Sequence, residues 1–307
     1  MNGYKIIVAY DFQELSNAAL QQAYKLASFV NGSILLLVVM DSDLLALADI
    51  FENAHSQKLK KKITDSMERQ IAVRLQQVAD KATADSGIPV STRIETGRIY
   101  ECILNVAREE SPRFVVMGRT SRQLSFTRFG SNTMRVVERS NCPVLTIPSV
   151  NAITDFRHIV LPIDLTKQTR EELFNAISFG LFFDATIHLV SVVMGGISEQ
   201  KSRIYQKMHK MKQTIEENGV RCTEKLFRKS STAIHEVILE YAETLQADAV
   251  MIMTHQEEII STSDRYIGAV AHQIINESNV PVISLTSAAS VSNNEKTKAW
   301  FDKLFGG

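Results

Sequence analysis

An internal repeat restricts this chain more than any other feature. His158-Ile159-Val160-Leu161-Pro162-Ile163-Asp164 answers Lys5-Ile6-Ile7-Val8-Ala9-Tyr10-Asp11 at a constant offset, 164 − 11 = 153. Ala185-Thr186-Ile187 answers Gly32-Ser33-Ile34 at that same offset. Near the ends of the copies, Asn279-Val280-Pro281-Val282 answers Asn141-Cys142-Pro143-Val144, where the offset is 281 − 143 = 138. Gly268 falls opposite Gly130 at this second offset. The offset shortens because Met194–Asn218 replaces the longer Met40–Ser86 in the middle of the second copy. Matches recurring in order imply two copies of one domain, residues 1–149 and 154–287, joined near Ser149–Asp155.

Short apolar runs alternate with segments of helical period inside each copy. In the first, strands are expected at Lys5–Tyr10, Ser33–Met40, Val90–Glu95, Phe114–Met117 and Val144–Ile147. Helices are expected at Ser16–Asn31, Tyr100–Glu110 and Asn132–Arg139. In the first of these, Ala19, Leu20, Ala23, Leu26, Ala27 and Val30 recur at helical spacing, and Gly32 closes it. The stretch 44–86 favours helix and stops at Gly87. This alternation predicts an α/β fold with a mainly parallel sheet in each copy. Residues 288–307 stand apart as a polar linker followed by a short amphipathic helix, with Trp300, Phe301, Leu304 and Phe305 on one stripe. Such a stripe covers an apolar patch on its own protein or dimer mate, or docks on a partner or membrane surface.

Composition removes several classes of function. Lys+Arg and Asp+Glu are equal at 34 each, aromatic residues make up 7%, and the longest basic run is Lys60-Lys61-Lys62. No field or stacking platform suits nucleic acid. The three cysteines, Cys102, Cys142 and Cys222, form no CxxC pair and fit reduced packing thiols in a cytoplasmic protein. Met1–Val8 runs straight into a strand-like segment and reads as no signal peptide. No apolar run reaches the ~20 residues of a membrane span.

The candidate chemistry lies after the fourth strand. Phe114-Val115-Val116-Met117-Gly118 leads through Arg119, Thr120 and Ser121 to Gly130-Ser131-Asn132, where a helical segment opens. Strand, glycine loop and helix N-terminus make a common anion-binding device, in which free backbone N–H groups converge and glycine admits a phosphate. A tight strand-to-helix turn produces the same spacing without any ligand. The seven histidines show no HExxH or comparable ligand spacing. His255, after Met253-Thr254 at a strand end, holds the most suggestive position among them and otherwise reads as a loop histidine. No catalytic or metal-ligating set is expected.

These residues resemble the universal stress protein family, in its tandem two-domain form. Val8-Ala9-Tyr10-Asp11 before Ser16-Asn17-Ala18-Ala19-Leu20, the step Val115-Val116-Met117-Gly118 and the closing Asn141-Cys142-Pro143-Val144-Leu145 carry the likeness. The second copy repeats it as Ile163-Asp164, Val250-Met251-Ile252-Met253 and Asn279-Val280-Pro281-Val282-Ile283. The resemblance covers residues 3–149 and 156–287. It implies two tandem Rossmann-like domains, each a five-stranded parallel sheet with helices on both faces and ligands at the strand carboxyl ends. It also implies that Val144–Ile147 and Val282–Leu285 pair inside the chain as a pseudo-dimer, and that two chains pair further.

Nucleotide-binding members bind ATP through Gly, two residues, Gly, nine residues, then Gly-Ser or Gly-Thr. Carried over, the first copy keeps Asp11 near the adenosine, Val39 at the adenine edge, and Gly118, Gly130 and Ser131 around the phosphates. Ser121 replaces the second glycine, and eight residues, Arg122 to Phe129, separate it from Gly130, one fewer than the pattern. Arg119 and Arg122 add positive charge, and Ser121 and Ser131 add hydroxyls suited to phosphate. In the second copy Thr254 is read at the place of Gly118, Glu257-Glu258 occupy the loop, and Gly268 is followed by Ala269. That copy, although it keeps Asp164, is expected to bind no nucleotide in this way. Adenylation is disfavoured because Asp11-Phe12-Gln13-Glu14 stands where a Ser-Gly-Gly-rich loop is needed. Two classes remain: a stress-response protein binding ATP, with Mg²⁺ and at most slow hydrolysis, in its first domain, and a nucleotide-independent protein acting through partners.

Overall fold

The computed structural model describes residues 4–29, 31–41, 54–119, 132–165, 170–193, 198–228, 232–254 and 268–286. Two compact units divide at Val144/Leu145. The first repeat runs β1 (Lys5–Ala9), α1 (Glu14–Phe29), β2 (Ser33–Asp41), α2 (Ala54–Ser86), β3 (Val90–Gly97), α3 (Ile99–Glu110), β4 (Phe114–Gly118), α4 (Asn132–Arg139) and β5 (Val144–Ile147). The second runs β6 (His158–Pro162), α5 (Arg170–Phe183), β7 (Thr186–Val193), α6 (Ser198–Glu217), β8 (Arg221–Arg228), α7 (Ile234–Thr244), β9 (Ala249–Thr254), α8 (Ala269–Glu277) and β10 (Val282–Thr286). This is the alternating α/β pattern that the periodicity predicts.

The inner strands of each sheet are buried as continuous apolar runs, as parallel strands covered on both faces must be, while the edge strands β3 and β8 are polar and partly exposed. Ile6, Ile7, Val8, Ile34, Leu36, Val115 and Val116 have no exposed surface. In the first unit the order is β3-β2-β1-β4, with Lys5 beside Ser33 and Ile6 beside Phe114, all parallel. In the second unit β10-β9-β6-β7-β8 repeats this arrangement, with His158 beside Thr186 and Ile159 beside Ala249.

Matching devices end matching elements. Gly32 donates its N–H to the Ala27 carbonyl at 2.9 Å, while the residue in the left-handed conformation is Asn31, with φ 50°. The sequence reading gave the closing role to Gly32 alone. Asparagine is among the few side chains that enter this region readily. In the second unit Asp184 (φ 49°) precedes Ala185, whose N–H reaches Gly180 at 2.9 Å. The turns before β5 and β10 are likewise pinned by serine hydroxyls. Ser140 Oγ donates to the Cys142 carbonyl at 2.8 Å, and Ser278 Oγ to the Val280 carbonyl at 2.7 Å.

Helix α2 departs from its counterpart α6 in length. Its 33 residues span about 50 Å at the usual helical rise. Leu75, Ala79 and Ala82 on it are buried, while Ile63, Met67 and Val73 are exposed. Gly87 ends it with φ 70° and an N–H bond to Thr83 at 2.9 Å, the stop the sequence predicts. Segment 42–53 and the stripe at 299–307 lie outside the described residues.

One buried histidine makes the second unit acid-sensitive. His188 on β7 lies 3.1 Å from His158 Nδ1 through its Nε2, and 2.7 Å from Thr223 Oγ1 through its Nδ1. Burial, and then the neighbouring His158, push its pKa down from 6.5 to about 4. Between those values the unfolded chain binds a proton that folded His188 refuses, so stability is full above pH 6.5 and falls as the pH drops toward 4. The loss across that window is about 3 kcal/mol. Urea unfolding of His188→Gln is expected to flatten this limb, and an unchanged pH profile would assign it to other groups.

Candidate functional site

In the first unit the chain steps outward from β1 through β2 to β3, then returns to lay β4 on the other side of β1. Strands flanking such a reversal send their following loops apart, which opens a crevice beyond their carboxyl ends. β1 delivers Asp11 to this crevice, and β4 delivers Gly118 and Arg119. Leu37 is the partner of Ala9, so Val39, two residues on along β2, comes level with Asp11. Asn132 opens α4. Thus Asp11, Val39, Gly118 and Arg119 gather at one edge of the sheet. Ser121, Gly130 and Ser131 lie outside the described residues, as does Arg122.

Asp11 is exposed, and its Oδ1 accepts the Gln13 N–H at 3.0 Å, which caps the approach to α1. Phe12 between them sits at φ 64°, a conformation that costs a bulky residue about 1–3 kcal/mol. Two side chains contact its ring. The buried Tyr10 meets it edge-on, with centroids 5.2 Å apart, and donates its hydroxyl to Asn17 Oδ1. Arg74, from α2, lies with its guanidinium 4.5 Å above the Phe12 ring. Sequence reasoning missed Phe12, Asn17 and Arg74. An aromatic next to the opening aspartate was a usable signal for the first, whereas nothing in the spacing tied Arg74 to residue 12.

Gly118 has a structural explanation of its own. A Cβ there would come within 2.7 Å of Leu15 Cβ and 3.2 Å of the Leu15 carbonyl carbon. Glycine therefore lets the first turn of α1 press against the end of β4, whatever the crevice holds. Arg119 beside it is half-buried, and this burial pushes its pKa below the ordinary arginine value. Further cations stand on α3 and α4. Arg135 lies 4.7 Å above the Tyr100 ring, and Arg98 sits 3.5 Å from Glu101 Oε1.

The second crevice is built differently, and its register corrects one expectation. Ile6 pairs with Phe114, and its equivalent Ile159 pairs with Ala249, so the offset in this strand is 249 − 114 = 135. The bonds Val115 N–H to Pro143 and Val250 N–H to Pro281 carry the same offset of 135 for the donors. Gly118 therefore corresponds to Met253, and Arg119 to Thr254, one residue away from the sequence alignment. The extra side chain is accommodated: Asn175 Nδ2 of α5 donates to Met253 Sδ at 3.2 Å. Thr254 is buried and donates to the Leu285 carbonyl at 3.1 Å. Asp164 remains exposed, and Lys207 Nζ of α6 donates to the carbonyl of the next residue, Leu165, at 2.9 Å. Gly268 caps α8, which begins at Ala269; His255, Glu257 and Glu258 lie outside the described residues.

Among the described residues neither crevice brings together an evident nucleophile. The three cysteines are buried, and burial raises the Cys102 thiol and pushes Cys222 up to about 12. Among the described residues no group of three or more His, Cys, Asp or Glu side chains is placed to hold a metal ion. No helix among them is long and apolar enough to cross a membrane.

The packing at Gly118 is directly testable. Gly118→Ala is expected to destabilise the ligand-free protein by about 1–3 kcal/mol, the usual cost of overpacking. Urea denaturation without nucleotide reads this, and an unchanged midpoint would mean that α1 yields at no cost.

The universal stress protein family model matches residues 4–148 and 155–285. Among solved structures, a universal stress protein from Archaeoglobus fulgidus DSM 4304 aligns with TM-score 0.68 at 19% identity, covering 93% of this chain and 99% of the other. A putative universal stress protein from Pseudomonas aeruginosa UCBPP-PA14 aligns with TM-score 0.58 at 15% identity, covering 99% and 98%. A functionally unknown protein from Pseudomonas aeruginosa PAO1 gives 0.59 at 15% identity, with the same coverage. No match is found among curated protein sequences.

Proposed function

Because the chain belongs to the universal stress protein family, its two matched segments following one another, we propose that it is a stress-response protein that binds ATP with Mg²⁺ in its first repeat alone. The observation that carries this reading is the company at the first crevice. An exposed carboxylate suited to ribose hydroxyls, Asp11, and a bare strand end with a cation, Gly118-Arg119, flank the reversal of strand order. Ser121, Gly130, Ser131 and Asn132 complete the phosphate end in this proposal.

The second repeat is nucleotide-free in this reading. Met253 fills the place of the glycine, and Thr254 replaces the cation and turns its hydroxyl to a backbone carbonyl. That half serves as a structural or regulatory partner to the first, in a cytoplasmic protein that pairs with a second copy.

One observation favours the alternative, a nucleotide-independent protein acting through partners. Leu15 requires a glycine at 118 whether or not a phosphate binds, so that glycine alone does not argue for a ligand. Calorimetry with Mg²⁺-ATP separates the two. Micromolar binding is expected, lost in Gly130→Glu. Asp11→Asn should weaken it about tenfold, because the amide oxygen still caps Gln13 while the charge is gone. No heat at millimolar ATP would sink the nucleotide reading and leave the partner-binding one.

A further inference from the structure

In both units the helix that crosses from the second strand to the third sends a cation to the residue just after the opening aspartate. Arg74 of α2 covers the ring of Phe12, and Lys207 of α6 donates to the Leu165 carbonyl. Phe12 and Leu165 are equivalent, since 165 − 12 = 153. Equivalent positions are thus held by different chemistry, once through a ring face and once through a carbonyl, and on different backbones, since Phe12 has a positive φ and Leu165 does not.

The first turn has a specific reason to be held. Phe12 lies at φ 64°, outside the region an aromatic residue prefers, and relaxation toward extended backbone would pull the Gln13 N–H away from Asp11 Oδ1. Tyr10 meets the ring in a T-shaped contact and Arg74 covers a ring face. Arg74 is exposed and makes no ion pair among the described residues, so no carboxylate competes for its place over the ring. We propose that Arg74 and Lys207 are positioning residues that clasp the turns carrying Asp11 and Asp164, and that the clasp on Phe12 sets ligand affinity in the first crevice. The clasp stands on geometry alone, while the affinity half rests on the nucleotide reading.

Hydrogen exchange by mass spectrometry on the full chain tests the clasp without any ligand. In Arg74→Ala the amides of residues 10–17 are expected to exchange about two- to fivefold faster, the loss of one exposed cation–π contact in protection. Arg74→Lys keeps a cation over the ring and should restore most of the protection. Lys207→Met should act on residues 163–175 and leave residues 10–17 untouched. Unchanged exchange at residues 10–17 in Arg74→Ala would overturn the proposal, and so would an equal rise across β1, β4 and α3, which marks general destabilisation. With Mg²⁺-ATP, Arg74→Ala should bind about two- to fivefold more weakly and Arg74→Lys as tightly as the parent. Faster exchange with unchanged affinity would overturn the affinity half. If the parent binds no nucleotide, the nucleotide reading and the affinity half fall together, and exchange alone decides the clasp.

Discussion

Parallel strands need long crossovers, and the pairing of β4 with β1 is the contact on which this repeat depends. A right-handed crossover can lay each new strand only beside an earlier one. Once β2 and β3 have been added on one side of β1, β4 completes the core by returning to the other. The return brings the carboxyl ends of β1 and β4 side by side, although 117 − 9 = 108 positions separate the paired Ala9 and Met117 in sequence. It also forces α1, which leaves β1 across that seam, down onto the end of β4. Leu15 then sits where a side chain on residue 118 would be. Packing and site are thus consequences of the same return.

Much of this was legible in the sequence because burial on both faces leaves a plain signature. Runs such as Ile34–Val38, of strand length and preceded by Gly32, read as covered strands, and the 153-residue offset carries the assignment into the second copy. Gly118 and Arg119 were singled out because they follow an apolar run of strand length, whereas Asp11 and Val39 were carried over from the family resemblance. What the sequence did not show depends on side chains meeting across elements. Arg74 reaches Phe12 because α2 packs through Leu75, Ala79 and Ala82 and so turns its neighbouring position toward the β1–α1 turn. The misplacement of Thr254 has a simpler origin. Similar apolar runs slide past one another without penalty in a sequence comparison, whereas a one-residue slip in a sheet exchanges its two faces.

The two units diverge in a coherent way. At the start of β4, Arg113 donates its N–H to the Lys5 carbonyl and stacks its guanidinium 3.7 Å from the Tyr4 ring centre. At the equivalent place Asp248 makes the same backbone bond to His158, and its carboxylate accepts the His158 N–H at 2.8 Å. At the other end of these strands Gly118-Arg119 gives way to Met253-Thr254. The backbone frame is retained, while the groups at both ends of the strand are replaced. Relaxed demands on side-chain chemistry with unrelaxed demands on packing produce this pattern.

The end of α1 also bears on how the molecule ages. Asn31 precedes Gly32, a pair in which the glycine nitrogen can attack the asparagine side chain to form a cyclic imide, with loss of ammonia. Here the Gly32 N–H is bonded to the Ala27 carbonyl, and Asn31 holds a left-handed backbone that closes the helix. Attack requires that bond to open, so the rate of this chemical clock is tied to fraying of one helix end. Opening of the imide through its main-chain side would insert an extra backbone atom at the bend before β2. At the corresponding place in the second copy Asp184-Ala185 replaces the pair, and that copy's own Asn-Gly pair, Asn218-Gly219, stands instead after α6, with the Gly219 N–H bonded to the Glu216 carbonyl at 2.9 Å.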